Sequence, residues 1–122
     1  MDIDKVKSNV RKAEVIYRQY FEKNNITKAD YPYDLFVGLK TQILDHCHSM
    51  LDRLEEFLVQ DKMYKAYLYL GFIHGCLWST HCYTLQELKD HNLNGPDDNK
   101  EASSKQVLEP LTYEDLTNDW EY

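Results

Sequence analysis

At 122 residues and 14.6 kDa, with 43% apolar residues, the chain has material for one hydrophobic core and excludes a multidomain enzyme. Four glycines and three prolines are too few turn formers for an all-β sandwich, so the expected fold class is all-α. The net charge of −7 sits at one end: residues 1–94 carry 13 acids against 12 bases, and residues 95–122 carry 8 acids against Lys100 and Lys105 alone.

A helical domain over residues 1–94 is therefore expected, followed by an acidic linker and aromatic tail over 95–122. A nearly neutral body with an acidic tail disfavours direct nucleic-acid binding. The N-terminus alternates charges where a secretory leader would be apolar. The most apolar stretch, Ala66 to Trp78, contains His74 and falls short of the roughly 20 residues that cross a bilayer. Three cysteines form no paired framework. A cytoplasmic protein without a membrane partner is the expectation.

Ile3, Val6, Val10, Ala13, Ile16 or Tyr17, and Tyr20 recur at three and four, which predicts a helix from about Asp4 to Lys23. Asn24 and Asn25 end it, and Ile26 to Pro32 reads as a loop. From Tyr33 to about Gln60 the apolar positions Phe36, Leu39, Ile43, Cys47, Met50, Leu54, Phe57 and Leu58 predict a longer second helix. A tight turn at Gln60 and Asp61 leads to a third helix from Lys62, which folds back as an antiparallel hairpin. That third helix is apolar almost all round, with Lys65 and His74 left for water, so it should be buried centrally or in a subunit interface. Gly71, Gly75, Ser79 and Cys82 form a ridge of small residues, either packed inside the hairpin or forming, with Trp78, a seam between copies. Thr84 and Glu87 have capping-box spacing for a short fourth helix ending near Asn92. Asn94, Gly95 and Pro96 stop it.

Residues 96 to 106 have the composition of a linker. In the last fourteen residues Leu111, Leu116, Trp120 and Tyr122 are interspersed with acids, the make-up of a segment that docks on something. Glu114, Asp115, Leu116, Trp120 and Tyr122 are the candidate partner-binding residues.

His46, Cys47, His48, His74, Cys76, His81 and Cys82 cluster in the hairpin. A turn near residue 61 sets His48 level with His74 and Cys47 level with Cys76. No recognisable ligand spacing is present, so no metal site and no cofactor are expected, although a helical metal-binding protein is a third reading of the function. A Cys76–His48 nucleophile pair would lack an oxyanion hole, and no enzyme activity is expected. His74, Trp78 and His81 share a helical face. On helix one, Lys5, Arg11 and Arg18 fall roughly in line, as a solvated face, as a berth for the acidic tail, or as a phosphate-binding stripe in an oligomer.

The stretch KAYLYLGFIHGCLWSTHCYTLQELKDHN, residues 65–92, resembles a segment of small helical accessory proteins of tailed bacteriophages. Hairpin size and Gly75 are also similar to the helical-hairpin sponges with which phages sequester nucleotide signals. The resemblance implies a non-enzymatic accessory protein, oligomeric through helix three, that binds and inhibits or redirects a host protein, with host defence as the target. An oligomeric sponge for a nucleotide ligand held by Lys5, Arg11 and Arg18 is the alternative.

Overall fold

The computed structural model describes residues 2–94, with side chains to Asn92. The partner-binding candidates Glu114, Asp115, Leu116, Trp120 and Tyr122 lie outside the described residues. Those residues form four helices and no strand: α1 (Ile3–Lys23), α2 (Lys40–Val59), α3 (Met63–Ser79) and α4 (Leu85–Asn94). The fold is all-α. No helix among the described residues is long and apolar enough to cross a membrane.

Each boundary has a local cause. The Asp2 carboxylate accepts the N–H groups of Asp4 and Lys5 at the start of α1. Asn25, at φ 57°, turns the chain out of its end. Asp61, at φ 58°, makes the tight turn between α2 and α3, and Lys7 of α1 reaches its carboxylate at 2.7 Å. At α4 the Glu87 N–H donates to Thr84 Oγ1 at 3.2 Å, and the Thr84 N–H donates to Glu87 Oε1 at 2.9 Å, so the capping box forms as its spacing predicts.

Val10, Ala13, Tyr17 and Phe21 of α1 meet Leu44, Cys47, Leu51, Leu54 and Leu58 of α2 and Ala66, Leu70, Ile73 and Leu77 of α3 in one core. Tyr17 is the junction: its ring stands edge-on to His74 of α3 at 5.6 Å, and its hydroxyl lies 3.1 Å from Nδ1 of His91 in α4. α3 packs mainly on α2 and α4 mainly on α1.

Four expectations are corrected. The second helix starts at Lys40, not at Tyr33, because the preceding chain is tied down elsewhere. Residues 26–31 are bonded to α2 at Asp45, His46, His48 and Ser49, so residues 32–39 must travel from the level of His46 back to the start of α2. Gly38, about 1 kcal/mol worse than Ala in a helix, sits within that run. Phe36 and Leu39 accordingly leave the apolar stripe and are exposed. The third helix is not buried centrally. Ala66, Leu70, Ile73 and Leu77 are buried in the core and Met63, Tyr69 and Cys76 pack against it, while His74 turns inward instead of facing water. His81 lies beyond α3, in a turn at φ 66°, so it continues no helical face with His74 and Trp78.

Candidate functional site

The outward face of α3 leaves a run of apolar side chains uncovered among the described residues. Tyr64, Tyr67, Leu68, Phe72 and Trp78 are each about half exposed or more, along four turns. Between them lie Gly71 and Gly75, where an added Cβ would meet no atom within 4 Å. The glycines are therefore not required by close packing inside the hairpin. Ser79 and Trp78, the other seam candidates, are exposed on the same helix. Lys65 is the one charged residue of α3, and its ammonium sits 5.7 Å from the Phe57 ring centroid on α2.

Beside this ridge runs a groove of about 640 Å³. Its floor is Ile43, His46 and Met50 of α2 with Tyr69, Phe72 and Cys76 of α3, and its outer wall is the segment Tyr31–Val37. The wall is placed by hydrogen bonds from the extended chain to the polar side of α2. Asp45 Oδ1 accepts the Thr27 N–H at 3.1 Å, Ser49 Oγ donates to the Ala29 carbonyl at 3.2 Å, and His46 Nδ1 accepts the Tyr31 N–H at 3.1 Å. His48 Nδ1 donates to the Ile26 carbonyl at 2.8 Å. The two histidines thus carry opposite tautomers, each selected by its backbone partner. Sequence reasoning did not find the wall. Its signal was the aromatic set Tyr31, Tyr33 and Phe36 around Pro32 and before Gly38, two residues that disfavour a continuous helix.

The His/Cys cluster resolves into separate structural roles. His48 packs on Phe21 and His74 on Tyr17. Cys47 and Cys76 do meet across α2 and α3 as expected. The Cys47 thiol is raised well above its ordinary range by donating to the Cys76 sulfur and by burial, and the same contact lowers Cys76. Cys82 lies 3.4 Å from the Tyr20 hydroxyl. Among the described residues no three His, Cys, Asp or Glu side chains converge where they could hold a metal ion. Burial, with a smaller contribution from His91, depresses His74 to about 4.

The cationic stripe of α1 is engaged by acids of this chain. Arg11 pairs with Glu55 at 3.1 Å, and Arg18 bridges Glu14 at 3.0 Å and Asp52 at 2.9 Å. A phosphate would have to displace those carboxylates to use either arginine, while Lys5 is exposed. Buried Glu14 is pushed up to about 7, chiefly by desolvation and by its hydrogen bond to Glu55, against the opposing pull of Arg18. This carboxyl pair joins α1 to α2.

Compared with protein-family models, curated proteins and solved structures, the chain gives no match.

Proposed function

We propose that this chain is a non-enzymatic interaction protein that pairs with a second copy along the outward face of α3 and acts by occupying another protein. The observation that carries the pairing is the open space over Gly71 and Gly75, flanked by Leu68, Phe72 and Trp78. Glycines spaced by four let a second helix approach closely, and the large side chains on either side supply the apolar area that such a contact buries. A surface of this kind without any glycine requirement inside the monomer is accounted for by a partner helix.

The non-enzymatic reading is supported by the placement of the reactive groups. Cys47 is 0% and Cys82 2% exposed, and the thiol next to Cys76 is Cys47 rather than a base. That the target is a host factor rests on the resemblance of residues 65–92 to bacteriophage accessory proteins.

Light scattering on the full chain tests the pairing. A solution mass at a multiple of 14.6 kDa that falls to the single-chain value in Gly75→Arg is the expected result. That substitution puts a charge into open space, so its circular dichroism should match the parent. A parent protein of single-chain mass would overturn the assembly.

A further inference from the structure

We infer that the groove between α2, α3 and segment Tyr31–Val37 is the docking site of the chain's own C-terminal segment, residues 111–122, with Trp120 as its anchor. The groove is concave and built almost wholly from apolar and aromatic side chains, and its residues include no carboxylate. Tyr33, Leu35 and Phe36 on its wall are held out into solvent on a segment that hydrogen bonds fix in place. Such a preformed apolar cleft is favourable for an extended segment that brings its own aromatic and aliphatic side chains.

Residues 111–122 have that composition: Leu111, Tyr113, Leu116, Trp120 and Tyr122, with Glu114, Asp115, Asp119 and Glu121 and no base. Of the charges about the groove, Asp34 in the wall segment and Asp30, 3.9 Å from His46 Nδ1, do not favour those acids, and Lys40 does. The first turn of α2 carries Lys40 and no acidic residue, leaving the positive end of its dipole uncompensated. Arg53 stands beside Tyr33, with its Nη1 3.5 Å from the hydroxyl. Asp30 and Glu56 belong to the neighbouring hollow around Arg53, so the acids of the segment are best received at the Lys40 end.

Reach is not limiting. Residues 95–110 connect α4 to Leu111 and can span up to about 50 Å when extended, against a radius of gyration of about 12 Å for a domain of this size. The same chain can therefore cover its own groove. Leu68, Phe72 and Ser79 border both the groove and the ridge over Gly71 and Gly75, whereas Ile43, Met50 and Cys76 belong to the groove floor. Occupation of the groove is read at Trp120 and pairing at the solution mass, so either can fail alone.

The test uses the full chain with Trp78→Phe, which leaves Trp120 as the only tryptophan. Acrylamide quenching of its fluorescence should be several-fold weaker than that of a peptide of residues 111–122, and unchanged on dilution. Phe36→Asp in the same background should raise quenching to the peptide's value. Phe36 is 105% exposed, so this variant keeps the fold, and circular dichroism verifies it. Quenching equal to the peptide's in the parent would overturn the proposal. Protection insensitive to Phe36→Asp would place the segment elsewhere, such as on the α1 cations, and protection lost on dilution would assign it to a second copy. Both outcomes also overturn it.

Discussion

His46 Nδ1 accepts the backbone N–H of Tyr31 at 3.1 Å, and this bond joins the floor of the groove to its wall. Removing it leaves a half-buried N–H without its acceptor and frees the chain just before Pro32. His46→Ala should cost about 1 kcal/mol in global stability. Its local effect should be larger, because Tyr31 and Tyr33 also lose their ring contacts with the imidazole. Hydrogen exchange at the Tyr31 amide is the discriminating measurement. Exchange should accelerate there, while amides in the centre of α2 around Leu51 keep their protection. Uniform acceleration would mean that His46 supports the whole domain rather than the wall.

Glu14 gives stability a pH dependence of defined sign. Its folded value, about 7, lies above its ordinary 4.5, so the folded state holds the proton more tightly than the unfolded chain does. That contribution is fully present below 4.5 and is lost as pH rises through about 7. His74 works in the opposite sense: depressed from 6.5 to about 4, it contributes stability above 6.5 that is lost as pH falls toward 4. Glu14→Gln keeps an acceptor for Arg18 and removes the ionisation. Between pH 5.5 and 8 the parent should lose on the order of 2 kcal/mol relative to this variant, read from urea midpoints. Parallel pH profiles would show that Glu14 is already ionised in the fold.

Much of the helical framework was legible because a helix that buries one face must repeat its apolar residues at three and four. Val10, Ala13 and Tyr17 obey that rule, and so do Cys47, Leu54 and Leu58, and all are core. The capping pair Thr84 and Glu87 and the turn at Asp61 were legible for equally local reasons. Phe36 and Leu39 misled because they fit the same period, yet whether a period is used depends on where the preceding chain is pinned. Those pins are side chains on the polar side of α2, and periodicity carries no information about which backbone group Asp45 or His46 will bind. The all-round apolarity of α3 was legible, but not which side would stay open. His74 was read as solvent-facing from its polarity, although the neighbouring Tyr17 makes an inward imidazole favourable. Of the candidate site, the ridge of Gly71 and Gly75 was visible and the groove beside it was not.

The three cysteines should differ sharply in reactivity. Cys76 lines the groove and is held below the ordinary thiol range by the Cys47 S–H, whereas Cys47 and Cys82 are buried. Thiolate fraction and access both favour the same residue. Iodoacetamide applied to native Phe36→Asp, in which the groove is vacated, followed by peptide mapping, should label Cys76 alone, with Cys47 and Cys82 labelled only in denaturant. Native labelling of Cys82 would show that the turn around Thr80 opens readily.

Gly75→Ala separates the cost of a glycine inside the monomer from its use between copies. Within one chain the substitution meets no atom within 4 Å and replaces the poorer helix former, so α3 should gain about 0.5–1 kcal/mol. Across a close helix pair the same methyl groups would push two backbones apart and remove contacts on both sides of the seam. The two effects have opposite signs and different concentration dependence. Thermal melts at low concentration should therefore show a more stable variant. Sedimentation or light scattering at high concentration should show weaker assembly than in the parent. If Gly75→Ala strengthens assembly or leaves it unchanged, close approach at Gly75 is not what joins the copies, and the contact must run through Tyr64, Leu68 and Trp78 instead.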